Sequence, residues 1–335
     1  MIGITLHINI NEIEREAWGN LLDNSPYASF FQSPQCYEFY ASLSFMQPFV
    51  FAVSEDDVLK GLVCGYIIAD GGMIKRYFSR RAIIPGGLLL SEDISDDALT
   101  LLLNHTKKEL KHKAIYIEIR NYKNYSIFKS VFESVGFAYQ PHLNFIIETN
   151  DEILVFKNIS SSKKRQIKQT LKEGVQIVEA KSKSDVISFY EVLEKLYKEK
   201  IKLPLFPESF FCKFIENHVG RIFIIQKDLE VLGGIVCVYD NYAVYEWFVC
   251  GEDKKYDRVY PSVLATWAGI KYALDNNYVE FNFMGAGRPD RTYGIREFKS
   301  KFGGKQVDQG RFLYLYKPIQ YRFTKYILQI IRKMK

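Results

Sequence analysis

A short internal repeat constrains this chain more than any other feature. Val58-Leu59-Lys60-Gly61-Leu62-Val63-Cys64-Gly65-Tyr66 aligns with Val231-Leu232-Gly233-Gly234-Ile235-Val236-Cys237-Val238-Tyr239, with six of nine positions identical. Such a match carries weight only where its surroundings repeat as well. Periodicity and turn residues say that they do. In the first half, 1–10 reads as a strand, 12–22 and 34–43 as helices, and 48–84 as successive strands broken at Glu55-Asp56-Asp57 and Gly71-Gly72. A helix over 96–111, a strand over 114–119, a helix over 125–135 and a strand near 144–148 follow. The second half gives a strand at 175–179, helices at 184–200 and 208–219, and strands at 221–226, 231–239 and 242–250. It continues with a helix at 262–276, a strand at 278–283, a short helix at 293–301 and a strand at 311–316.

Both halves therefore predict the same order: strand, two helices, an antiparallel meander, then helix, strand, helix, strand. That order is an α/β layer fold with mixed sheets covered by helices, and it resembles the order of a GNAT-type acyltransferase domain occurring twice in tandem. The length of 335 residues suits two domains. We expect one over 1–150, a second with the acyl-donor cleft over 151–316, and a terminal segment, 317–335, packing back on the first. With 47% hydrophobic and 25% charged residues the chain has an ordinary globular composition, which excludes a disordered or polytopic membrane protein. The five cysteines show no metal-ligand spacing, so reduced thiols and no metal are expected. The start of the chain has no basic, apolar pattern of a signal peptide, which points to the cytoplasm.

Several segments, in order, resemble the Fem-type aminoacyltransferases of peptidoglycan cross-bridges and the related bacterial tandem GNAT acetyltransferases. They are Phe31-Gln32-Ser33-Pro34, the turn Pro85-Gly86-Gly87, the basic stretch around Lys163-Lys164-Arg165, and Tyr293-Gly294-Ile295-Arg296-Glu297-Phe298-Lys299-Ser300-Lys301-Phe302-Gly303-Gly304. The resemblance implies transfer of an acyl or aminoacyl group to an amine of a cell-envelope precursor. The donor would be aminoacyl-tRNA or acyl-CoA, with no tightly bound cofactor. Two other readings stay open: an acyl-CoA-dependent acyltransferase acting on an amino sugar of a surface polysaccharide, and a non-catalytic binding module that retains the fold.

Three departures bear on the choice. Cys250 to Pro261 lacks the glycines of a pyrophosphate cradle, and Pro261 removes a donor. Tyr40 stands where the family carries Lys, and Arg120 where its strand ends in Asp. Tyr40, Arg120 and Tyr122 are thereby the residues expected on the acceptor side.

For the chemistry, amide formation needs a polarised carbonyl and a proton acceptor, not a nucleophilic triad. Lys299 and Glu246 are the catalytic candidates: the first follows Phe298 in the family-like segment, and the second is a carboxylate within the apolar strand YAVYEWFVC. An ion pair with a neighbouring cation is the equal alternative for Glu246. Lys299→Ala is expected to lower turnover with little change in melting temperature. Donor or substrate contacts are expected from Phe298, Tyr293, Arg296, Arg288, Arg291, Tyr260, Glu280, Asn282, Lys164 and Arg165.

The stretch 157–172 holds six basic residues and no acid, which suits an anionic partner such as tRNA or a solvated helix face. The tail 317–335 likewise has six basic residues and no acid, with apolar residues at helical spacing. It suits either packing on the protein or peripheral contact with a membrane that carries a lipid-linked acceptor. No DNA-binding module is recognisable.

Overall fold

The computed structural model describes residues 3–69, 71, 79–291 and 294–334, with side chains described as far as 326. It contains two mixed sheets and divides into a unit of residues 1–141 with 309–335 and a unit of 142–308.

The first sheet runs β1 (Ile4–His7), β2 (Met46–Glu55), β3 (Val58–Ile68), β4 (Arg81–Gly86), β6 (Tyr116–Asn121), β15 (Arg311–Leu315) and β7 (Ala138–Gln140), with β5 (Leu89–Leu90) against β3. Among the described residues of this sheet only β4 and β6 are parallel. The second runs β14 (Lys305–Asp308), β8 (Leu143–Glu148), β13 (Glu280–Asn282), β12 (Ala243–Gly251), β11 (Glu230–Tyr239), β10 (Arg221–Lys227) and β9 (Gln176–Glu179). Here β12 and β13 are the parallel pair. Cys64 on β3 and Cys237 on β11 thus occupy corresponding third strands, flanked by antiparallel neighbours and one strand removed from the parallel pair.

The repeat is nevertheless crossed near each end. β8 follows β7 in sequence but pairs between β13 and β14, while β15 follows β14 but pairs between β6 and β7. The expected boundaries therefore shift. The strand near 144–148 belongs to the second unit and the strand at 311–316 to the first. Local alternation marks a strand but not its partner.

The helices are α1 (Arg15–Asn24), α2 (Pro34–Ala41), α3 (Asp96–Leu110), α4 (Lys129–Ser134), α5 (Glu152–Asn158), α6 (Ser161–Lys172), α7 (Lys183–Leu196), α8 (Glu208–Glu216), α9 (Pro261–Asp275), α10 (Gly294–Ser300) and α11 (Pro318–Met334). Their starts follow from capping chemistry. Ser33 accepts from Cys36 N ahead of Pro34, Ser95 from Ala98 N, and Ser160 from Lys163 N. Ser182 and Asp185 form a capping box at α7, which ends in a π-helical turn at Tyr197–Ile201.

Each unit has its own core. In the first, Val53, Val63, Ile84, Leu99, Leu102 and Ile117 pack the sheet against α3. In the second, Ile235, Cys237, Val244, Leu264, Ala268 and Phe281 do the same with α9. α9 is buried along most of its length, which is why its sequence is apolar on nearly every face.

Candidate functional site

In the second unit, β12 and β13 pair only as far as Tyr245 and Asn282. On the other side of β12 the register slips. Cys237 faces Glu246 and Val236 faces Phe248, so Trp247 is an extra residue. This bulge lies beside Glu246, at the point where the parallel strands stop pairing. The carboxylate is only 4% exposed.

Lys299 of α10 meets it there. Its Nζ lies 3.0 Å from Glu246 Oε1 and donates to Phe283 O at 2.6 Å and Gly285 O at 3.0 Å. All three ammonium protons are thus engaged. Burial pushes the Glu246 carboxyl above its usual range and Lys299 opposes that shift. Among the described residues Glu246 Oε2 has no hydrogen-bond partner. The two catalytic candidates therefore form one buried ion pair. The expectation that Lys299 can be truncated without loss of stability is corrected, because the side chain is not on the surface.

The loop after β13 is held by its own polar residues. Met284, Gly285 and Gly287 have φ of 55°, 128° and 78°. Asn282 Oδ1 accepts from Asn144 Nδ2 and Met284 N, both at 2.8 Å, while Asn144 Oδ1 accepts from Gly285 N at 2.8 Å. Arg296 donates to Ala286 O at 3.0 Å and also to Arg288 O. Asn282 and Arg296 are thus committed to the loop. Arg288 makes a bidentate bond to Asp290, at 3.1 and 3.0 Å, and Arg291 is exposed. Glu280 opens β13 opposite Ala243, two residues before Asn282, and hydrogen-bonds the Tyr242 hydroxyl. Tyr293 lies outside the described residues.

The basic helix contributes a residue that reasoning from charge alone passes over. Lys164 donates to Lys157 O at 2.9 Å, and Arg165 is exposed. Lys163 instead is 7% exposed, with Nζ 4.1 Å from the Phe298 ring centroid and 5.7 Å from that of Phe302. Burial lowers its pKa to about 8, partly opposed by Asp253. The signal was present in the spacing: Lys163, Ile167 and Thr170 form the buried stripe of α6.

Asp253 occupies another position that decides chemistry. Its Oδ1 accepts from Ser262 N at 2.8 Å and its Oδ2 from the Ser262 hydroxyl, so a carboxylate of the chain itself caps the start of α9. Gly251 lets the strand end press on that helix start, since a Cβ there would lie 2.2 Å from Ser262 N. Tyr260 N donates to Thr170 Oγ1 at 3.0 Å. An open pocket of about 360 Å³ lies beside this turn, and two of its lysines, Lys195 and Lys255, pair with Glu252.

In the first unit, Tyr40 is fully buried, its ring 4.7 Å from that of Tyr66. Tyr122 is also buried, beside Phe31, and Arg120 bonds Glu118.

Two outcomes follow. Lys299→Ala leaves a buried carboxylate and two carbonyls without their donor and should destabilise the second unit by about 3–5 kcal/mol. The pair substitution Lys299→Met with Glu246→Gln should recover part of that loss. Urea denaturation of the three proteins checks it, and a Lys299→Ala midpoint equal to wild type contradicts it. For Lys163, whose pKa of about 8 lies below the value of about 10.4 for an unfolded lysine, the unfolded chain binds more protons between those limits. The penalty for the charged form is complete below pH 8, and stability should rise with pH through that window. Denaturation midpoints at neutral and alkaline pH should show this rise flattened in Lys163→Met; parallel profiles would refute it.

Comparison with known proteins adds the following. Residues 221–329 match the FemAB family, and this span carries Glu246, Asp253, Phe298 and Lys299. No curated protein matches the chain in sequence. Among solved structures, FemX covers 93% of this chain and 98% of its own at 14% identity, with a TM-score of 0.70. L-PGS from Bacillus licheniformis covers 94% and 97% at 12% identity with a TM-score of 0.58. A tandem GNAT protein from the clavulanic acid biosynthesis pathway covers 94% and 99% at 10% identity with a TM-score of 0.60. At these identities the structures establish shared architecture. The chain therefore has a Fem-like tandem GNAT fold over nearly its whole length, and its residues 221–329 are similar to the FemAB family.

Proposed function

We propose that this chain transfers an aminoacyl group to an amine of a cell-envelope precursor. The observation that carries the reading is the FemAB match over 221–329, which holds the buried Glu246–Lys299 pair and Phe298, against which Lys163 of α6 lies. In the reaction a neutral amine attacks the donor's ester carbonyl. The C–N bond forms, the C–O bond breaks, and the amine's proton passes to the departing hydroxyl. Lys299, with every proton engaged, supplies fixed positive charge and holds the 283–288 loop. Lys163 has no hydrogen bond from Nζ among the described residues and a pKa of about 8, which suits it to carry the proton. Phe298 lines that amine. Glu246 balances Lys299, and its Oε2 has no hydrogen-bond partner among the described residues.

The donor in this reading is an aminoacyl-tRNA. Asp253 at the start of α9 favours it over acyl-CoA, since that carboxylate repels a pyrophosphate at the same helix end. Lys164, Arg165 and Arg291 are exposed or half-exposed cations suited to an extended polyanion. A mass-spectrometric screen of aminoacyl-tRNA and acyl-CoA donors against amine-bearing envelope precursors tests this. Transfer from tRNA, falling steeply with salt and lost in Lys163→Met, is expected. Micromolar acetyl-CoA binding that maps to 250–261 by calorimetry would overturn the donor assignment and favour the amino-sugar reading.

In this reading the protein works in the cytoplasm at the inner membrane face, where a lipid-linked acceptor is accessible. α11 supports this: Ile319, Phe323 and Tyr326 are 85%, 56% and 61% exposed along one stripe, and 317–335 holds six basic residues and no acid. No helix among the described residues is long and apolar enough to span a membrane. Cosedimentation with vesicles rich in anionic lipid should retain the protein and lose it on Ile319→Asp with Phe323→Asp; equal binding of the variant would contradict the placement.

A further inference from the structure

α6 turns one stripe of its side chains inward. Lys163, Ile167 and Thr170 are its buried positions, and Gln166 lies among them, three residues after Lys163 and four before Thr170. Side chains at those spacings are neighbours on a helix face. Both ends of the stripe are fixed by other parts of the second unit. At one end the Lys163 ammonium stands 4.1 Å from the ring centroid of Phe298 on α10. At the other, Thr170 Oγ1 accepts from Tyr260 N at 3.0 Å, just before α9, and donates to Gln166 O at 2.8 Å. Gln166 is thereby bracketed by α10 and the turn that leads into α9.

The Gln166 main-chain carbonyl is satisfied by Thr170, but its side-chain Oε1 is buried and has no hydrogen-bond partner among the described residues. Lys163 Nζ, one turn earlier, has no hydrogen bond there either. An unused acceptor and an unused donor thus stand side by side without satisfying each other, whereas nearly all buried polar atoms in proteins are paired. The charge around them is asymmetric. Burial does most to lower the Lys163 pKa, and Asp253 opposes that shift while Lys301 adds to it. The Asp253 carboxylate, tied to Ser262 at the start of α9, therefore acts on the same space.

A group that completes this pair must carry an N–H donor and an oxygen acceptor close together. An aminoacyl ester carries both, whereas a plain acyl group has the acceptor alone. We infer that the inner face of α6 reads the α-amino group of the donor, with Gln166 Oε1 accepting from that amine while the Lys163 ammonium faces the ester oxygens. Resting on the proposed transfer reaction, this makes Gln166 the residue that separates aminoacyl from plain acyl donors. Asp253 favours the same choice, because its carboxylate attracts an α-ammonium. A buried acceptor that meets an N–H of the correct ligand discriminates well, since the analogue lacking the N–H leaves that acceptor unpaired.

Calorimetric titration of the full chain with two non-transferable probes tests this without turnover. One is 3′-amino-3′-deoxyadenosine acylated on its 3′-nitrogen with alanine, the other the same nucleoside acylated with propionate, so that they differ only by the α-amine. Wild type should bind the alanyl probe about tenfold more tightly. Gln166→Met should bind both alike, and Gln166→Glu, which restores an acceptor, should recover the preference. In urea, Gln166→Met should have a midpoint no lower than wild type, because it removes an unsatisfied buried oxygen; a lower midpoint with the preference intact marks a purely structural residue and rejects the assignment. Equal affinities in wild type, or no binding of either probe, would overturn it as well. A preference that depends on Gln166 without any transfer from aminoacyl-tRNA retains this site and rejects only the reaction. Transfer that is indifferent to both Gln166 and the α-amine retains the reaction and rejects the site.

Discussion

The second unit depends on a lysine placed where two parallel strands part. Once β12 and β13 cease to pair, carbonyls at Phe283 and Gly285 need a donor, and Glu246 needs a counter-charge. Lys299 meets all three demands with one ammonium. An unpaired carboxylate at this depth would be costly, as would two buried carbonyls without partners. The ion pair joins β12 to α10 and, with Arg296 and the Asn144–Asn282 bond, shapes the intervening loop. What looks like a mobile catalytic side chain in the sequence is a fixed charge in the fold.

The repeat and the alternation of apolar residues were enough to read two similar sheets and most helices, because those patterns are local consequences of burial. Partner choice is not local, so the destinations of β8 and β15 were misread. The site was legible to a similar depth. Lys299 and Glu246 were singled out separately, one from its place beside Phe298 and the other as a carboxylate among apolar residues; their pairing needed three dimensions. Lys163 was hidden in a run of cations that reads as a solvated face, although its spacing with Ile167 and Thr170 marks it as inward. Asp253 was hidden for a different reason: it caps a helix from nine residues before Ser262, far outside the positions where capping residues are sought.

Two features of the chain set a carboxylate of its own against positive charge. At the start of α9 the protein supplies its own carboxylate, so the positive end of that helix dipole is already satisfied. Along β6 and β15 it holds the Glu118 carboxylate between the guanidiniums of Arg120 and Arg311.

The crossing of β8 and β15 has a temporal meaning. During synthesis the second sheet has all its strands once β14, ending at Asp308, has emerged, since β8 precedes it. The first sheet must hold open the gap between β6 and β7 until β15, Arg311–Leu315, is made. Domains ordinarily mature from the N-terminus onward as they leave the ribosome. Here the half that is translated first is completed last, and a nascent chain that stalls before β15 exposes two unsatisfied strand edges that invite pairing with another molecule.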